Sequence, residues 1–188
     1  MAEVYAFLAD GLEEVECLAA VDVLIRGGVD VTLVSISDRR EVTGSHGFHI
    51  TADAVLDEVD LDRPDVYFLP GGMPGTKHLG SCEKLCSALV KAAGEGKRLA
   101  AICAAPSVLG SLGLLKGKTA TCYPGFEGAL GGAVHTTRGV VTDGMITTAR
   151  GLGYALDLGL ELLGLLTSRE HAAEVKVAIQ YDQNPDML

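Results

Sequence analysis

The sequence has no tryptophan, and aromatic residues make up only 5% of it although 48% of its residues are hydrophobic. Its apolar content is therefore carried by small aliphatic side chains. At 188 residues the chain is long enough to bury a sizeable core as one domain, residues 1–188, without disulfide or metal staples. Cations are also scarce: 15 Lys and Arg against 25 Asp and Glu leave a formal charge of −10, and the cations are scattered. Tracking phosphates needs clustered Lys and Arg, so nucleic acid is excluded as a partner. No apolar run approaches the roughly 20 residues that cross a bilayer, and the opening Met-Ala-Glu-Val-Tyr lacks the basic flank of a signal peptide. No membrane partner is expected, and the location expected is cytoplasmic. The five cysteines, Cys17, Cys82, Cys86, Cys103 and Cys122, are odd in number and sit in apolar or helical surroundings, unlike a disulfide framework. Cys82 and Cys86 stand at i and i+4, but no second Cys or His pair stands at zinc spacing, so no metal is expected. The histidines at 46, 49, 78, 135 and 171 are scattered and read as surface or loop residues.

What is present is an alternation of strands and helices. Val4 to Leu8 reads as a strand, Glu13 to Arg26 as a helix closed by Gly27-Gly28, Val31 to Ile36 as a second strand, and Val42 to Asp53 as a small hairpin. Val66 to Leu69 is a further strand, Cys82 to Ala93 a helix, and Leu99 to Ile102 an apolar run without alternation, as in a strand buried on both faces. That order predicts a doubly wound, mostly parallel α/β sheet. Beyond Lys118 come short strands (Thr119 to Cys122, Ala133 to His135, Val140 to Thr142, Met145 to Thr148), with a hairpin turn at Asp143-Gly144. Tyr154 to Leu166 and Arg169 to Ile179 read as helices, and the polar tail Tyr-Asp-Gln-Asn-Pro-Asp as loose. Between Cys17 and Ile25 only Asp22 is polar, so the first helix needs cover on most sides, from the rest of the chain or from a second copy.

The chain is organised around the joint at Cys103. Ala-Ala-Ile-Cys-Ala-Ala-Pro106 runs from a strand into a helix whose first turn Pro106 suits. A thiol there faces the unpaired N–H groups of a helix start, which favour thiolate. In a doubly wound sheet, ligands bind outside the carboxyl ends of the strands. Three segments are therefore expected to meet: the turn before Glu13, Glu14 and Glu16; the turn Pro70 to Gly75; and the Cys103 joint. Glu16 shares a helix face with Ala19, Ala20 and Val23, so its carboxyl is expected to be buried, protonated and hydrogen-bonded to the Cys103 thiolate. The N–H groups of Gly72 and Ala104 are placed to hold an oxyanion. Glu13 and Glu14 read as surface residues complementing the helix dipole, and Cys17 and Cys122 as structural, with exposure and oxidation left open for Cys122 by its neighbours Tyr123-Pro124. Gly151-Leu-Gly153 ahead of a helix has its third glycine misplaced for a dinucleotide loop.

With Gly11-Leu-Glu-Glu-Val-Glu16, Leu69-Pro-Gly-Gly72 and Ala100-Ala-Ile-Cys-Ala-Ala-Pro106 in that order, extended by Asp22 to Gly28 and Thr148 to Gly151, the chain resembles the DJ-1/ThiJ/PfpI superfamily, specifically its DJ-1-like branch. The resemblance implies a flavodoxin-like three-layer sandwich, of the kind class I glutamine amidotransferases share, and a homodimer. It also implies an oxidation-prone nucleophile at Cys103, a protonated Glu16, donors at Gly72 and Ala104, and no cofactor. Arg26 matches an arginine that in relatives reaches the partner's site, and His135 is a candidate for a histidine found after the cysteine helix. The protease-like branch has His directly after the nucleophile; here that residue is Ala104, so a peptidase is not expected.

Two functions follow from the resemblance. One is a cofactor-independent glyoxalase or deglycase acting on methylglyoxal, glyoxal adducts or other small carbonyl compounds, with a stress-protective role. The other is an oxidative-stress sensor or redox-regulated chaperone in which Cys103 is oxidised. A glutamine amidotransferase also uses a cysteine elbow, but His135-Thr-Thr and His171-Ala-Ala lack the Glu of its His-x-Glu motif.

Overall fold

A computed structural model describes residues 2–181. The expected loose tail falls outside the described residues except for Tyr181. The elements are β1 (Glu3–Leu8), α1 (Glu14–Arg26), β2 (Asp30–Ser35), β3 (Glu41–Thr43), β4 (His49–Thr51), β5 (Ala54–Val55), β6 (Val66–Leu69), α2 (Gly75–Ser81), α3 (Glu83–Gly94), β7 (Arg98–Ile102), α4 (Pro106–Ser111), β8 (Thr119–Ala120), β9 (Val134–His135), β10 (Val140–Asp143), β11 (Ile146–Ala149), α5 (Ala155–Leu166) and α6 (Arg169–Ala178). Seven strands form one sheet in the order β10-β11-β7-β6-β1-β2-β5. Its pairings are parallel except β10 with β11, which turn through Gly144. This is the doubly wound, mostly parallel sheet that the alternation predicts, in the flavodoxin-like three-layer sandwich that the resemblance implies.

Side-chain alternation along the strands divides the core in two. Val4, Ala6, Leu8, Phe68, Ala100 and Ile102 face α1 and α5, while Tyr5, Phe7, Tyr67, Leu69, Leu99 and Ala101 face Leu85 and Leu89 of α3 and Val108 and Leu109 of α4. Both faces are buried, which is why these strands read as unbroken apolar runs. Helices α1 and α5 approach through glycine: a Cβ at Gly159 would lie 2.9 Å from Ala20 O and 2.9 Å from Val23 Cβ. Leu24, Leu158, Leu162 and Leu163 fill that contact, and truncating one of them to Ala costs about 2–5 kcal/mol.

Helix α1 answers the question of its cover in part. Cys17, Ala20, Val21, Val23 and Leu24 are buried, but Val15 (50%), Leu18 (41%) and Ile25 (55%) are exposed along one face. Its end is set by Gly27 and by Gly28, whose φ of 76° suits a residue without Cβ. One expectation needs correction. The helix expected over 82–93 is preceded by α2, which the sequence reading missed because Gly75-Thr-Lys-His-Leu-Gly-Ser has weak helix propensity; burial of Thr76 and Leu79 holds it in place. Cys82 is extended between α2 and α3 and caps the latter. Cys122 is buried at 1% in the core cluster that includes residues of α3 and α4, so its structural reading holds and the exposure left open by Tyr123-Pro124 does not. No helix among the described residues is long and apolar enough to cross a membrane.

Candidate functional site

The three expected segments converge at the carboxyl ends of β1, β6 and β7. The Glu13 N–H donates to Gly71 O at 2.9 Å, tying the start of α1 to the turn after β6. Gly71 has no side chain where one could not fit: a Cβ there would strike the Glu16 carboxylate and lie 2.5 Å from Cys103 Cβ and 2.9 Å from Ile102 O. Gly71 is thus the residue that lets Glu16 and Cys103 meet, and a requirement for this close approach is what the Pro-Gly-Gly sequence signals.

Cys103 has φ 64°, left-handed for a residue with a side chain, at a cost of about 1–3 kcal/mol. Both flanking peptide groups hold it there. Its N–H donates to Ala149 O of β11 at 2.9 Å, and its carbonyl accepts the Tyr123 N–H at 2.8 Å. The turn aims the half-buried sulfur at the N–H groups of Gly72 and Ala104, both of which act on it.

Glu16 is 1% exposed, and its Oε2 makes no hydrogen bond of normal geometry. Burial pushes its pKa up to about 7, against longer contacts from the Cys103 thiol and from the N–H groups of Gly71 and Leu152, with the Glu13 charge adding to the rise. Burial also pushes Cys103 up, to about 12, followed by the charge and hydrogen bond of Glu16; the Gly72 and Ala104 N–H groups oppose this. The expected lowering of the thiol by the helix start is therefore outweighed while Glu16 is ionised. Two groups in contact titrate as a pair. One proton leaves near 7 and the other is held to about 12. After the first loss, the two N–H donors favour the charge on sulfur, and the partnerless Oε2 of Glu16 is where a remaining proton is tolerated.

Glu13 and Glu14 are buried, not surface residues. The Glu13 carboxylate caps α1, accepting the Glu16 N–H at 2.6 Å. Glu14 anchors the β3–β4 turn: its Oε1 accepts the His46 N–H at 2.8 Å, and His46 Nδ1 lies 3.0 Å from its Oε2. Burial raises the Glu14 pKa, but the hydrogen bonds from the His46 side chain and from backbone N–H groups win and hold it down to about 2. Glu13, Glu14 and His46 are the one set of three ligand-type side chains close enough to share a cation among the described residues, but capping and the turn already use both carboxylates.

The two weak candidates stand elsewhere. Arg26 lies exposed in the last turn of α1, its Nε 2.6 Å from Asp22 Oδ2. His135 is exposed on β9, where its charge is felt by Glu127. The sequence reading missed Tyr123 and the loop through Gly151 and Leu152, which follows β11 and closes over Glu16. The signal was a glycine-rich turn after a strand of the same sheet, at the same end as the other three segments.

The model of the DJ-1/PfpI family matches residues 2–165. Protein DJ-1 homolog B of Arabidopsis thaliana is 37% identical over 95% of this chain and 41% of its own length. Protein dj-1beta of Drosophila melanogaster is 36% identical over 89% of this chain and 91% of its own. This chain thus spans less than half of the Arabidopsis relative. The solved structure of Toxoplasma gondii DJ-1 in an oxidized form superposes with a TM-score of 0.92 at 31% identity, covering 96% of this chain and 99% of the other. Matched by the family model over residues 2–165 and by relatives across most of its length, the chain belongs to the DJ-1/PfpI family.

Proposed function

We propose that the chain is a cofactor-independent glyoxalase or deglycase with a DJ-1-like, stress-protective role, acting on methylglyoxal or glyoxal adducts through Cys103 as a homodimer. The observation that carries this reading is the strained Cys103 joint facing two backbone donors with a buried Glu16, its pKa raised to about 7, in contact with the sulfur. The thiolate adds to the aldehyde carbon of methylglyoxal, and the carbonyl electron pair moves onto oxygen, where the Gly72 and Ala104 N–H groups stabilise it. Protonation gives a hemithioacetal. Glu16 takes the proton from that carbon as the neighbouring carbonyl oxygen is protonated, giving an enediol, and returns it to the neighbouring carbon as the first hydroxyl loses its proton and becomes a carbonyl, leaving a lactoyl thioester. Water then cleaves the C–S bond, releasing lactate and the thiol; the overall change is addition of one water, with no external oxidant. The exposed Val15, Leu18 and Ile25 face of α1 supports pairing of two copies. Arg26 at its end is suited to reach the partner's site.

The test is lactate formed per chain from methylglyoxal, followed by NMR without glutathione or metal. Many turnovers that vanish in Cys103→Ser are expected. Stoichiometric loss of methylglyoxal without lactate refutes the enzyme. A second reading, a redox sensor, is supported by the Toxoplasma relative's having been solved in an oxidized form and by the Glu16 carboxyl, which when protonated can donate to an oxidised sulfur. It predicts oxidation at Cys103 under mild peroxide and no turnover.

A further inference from the structure

Beside the Cys103–Glu16 pair lies a cleft of about 320 Å³ lined by Tyr123, Pro124, Arg150, Gly151, Leu152 and Tyr154. Its lining residues touch the site at two points. The Leu152 N–H reaches the Glu16 carboxyl, and the Tyr123 N–H donates to Cys103 O. Gly151 lies near both carboxyl and ring: a Cβ there would sit 3.8 Å from Glu16 Oε1 and 3.2 Å from Tyr123 Cδ2. Methylglyoxal has only a methyl group beyond its two reacting carbons and leaves this space empty, although the volume lies in the range of small-molecule sites.

The walls have a definite chemistry. Tyr123 and Tyr154 present partly exposed rings, and Leu152 is 49% exposed. Arg150 brings a guanidinium that enters no ion pair within 4.0 Å among the described residues; Cys122 and Glu127 feel its charge through space. An aromatic face takes a flat, unsaturated group, and a guanidinium fork takes a carboxylate through two parallel hydrogen bonds. Resting on the reading of Cys103 as the reactive group, we infer that this cleft is the subsite for the substituent of the carbonyl compound. It takes a planar arm ending in a carboxylate, the arm against Tyr123 and Tyr154 and the carboxylate on Arg150.

Thiol–disulfide exchange tests the subsite without requiring turnover. The Cys103 thiolate attacks one sulfur of an aromatic disulfide, forms a mixed disulfide with the protein and releases the aryl thiolate, whose absorbance is read. Dithiobis(nitrobenzoate) carries a carboxylate on each ring; dithiodipyridine carries none. The Cys103 rate for each reagent is the difference between the wild-type chain and Cys103→Ser, and the ratio of the two rates is normalised to glutathione. The wild-type ratio is expected to favour the carboxylate reagent. In Arg150→Met it is expected to fall about tenfold, the size of a lost hydrogen bond to a charged group. Arg150→Lys restores the charge without the fork and recovers part of the loss, while the rate with the neutral reagent reports on the integrity of the site. A ratio unchanged in Arg150→Met overturns the subsite and leaves Cys103 reactive. No Cys103-dependent release with either reagent overturns the reading of Cys103 itself, and the subsite with it.

Discussion

Replacing Glu16 by glutamine keeps the side chain's size and removes its acidic proton, so it separates the two titrations of the pair. In the wild type the first proton leaves near 7. If sulfur bears the resulting charge, about half of Cys103 is thiolate at pH 7, against about 3% for an ordinary thiol of pKa about 8.5. The assay is alkylation by iodoacetamide, with the Cys103 peptide quantified by mass spectrometry between about pH 5 and pH 10. The wild-type rate should rise with a midpoint near 7 and then level off, and at pH 7 it should exceed that of an ordinary thiol by about three- to fourfold after allowing for the weaker nucleophilicity of a more acidic thiol. Glu16→Gln should still be alkylated, but its lactate turnover should fall by about 10²–10⁴, the range of a lost general acid–base. A wild-type rate still climbing steeply above about pH 10 refutes the reasoning, because the first proton would then belong to Glu16 alone and the thiol would persist toward 12.

Gly71→Ala places a Cβ against the Glu16 carboxylate and Cys103, so turnover should be lost even if the fold survives, as checked by circular dichroism beside the lactate assay. The folded-state pKa of Glu14 lies below its ordinary 4.5, so its stabilisation is present above about 4.5 and is lost as the pH falls toward about 2. Glu14→Gln should therefore cost about 2 kcal/mol at pH 7 and much less near pH 2 by urea denaturation; an equal cost at both pH values refutes the assignment. Leu18→Asp places a charge on the exposed face of α1 and should convert a particle of two chains into one in sedimentation, and a wild type that already sediments as one chain refutes the homodimer.

Much of the architecture is determined locally. Apolar runs buried on both faces, glycines closing α1 and the proline opening α4 follow from periodicity and backbone stereochemistry within a few residues, so strand order in the chain and the place of Cys103 are legible in the sequence. Glu16 is legible too, because helical spacing alone puts it on the face of Ala20 and Val23. What the local pattern cannot carry is which polar groups other segments cover. Glu13 and Glu14 look like surface acids, but the Glu13 carboxylate caps its own helix where its backbone N–H meets the turn after β6, about 58 residues away, and the β3–β4 turn, about 32 residues away, hydrogen-bonds Glu14. The neighbours Tyr123-Pro124 leave the exposure of Cys122 open, and its burial is decided only by the core cluster assembled from distant segments. The pKa values of the pair belong to the tertiary structure alone, because desolvation and the distance between two charges arise only when the ends of β1, β6 and β7 are brought together around a glycine.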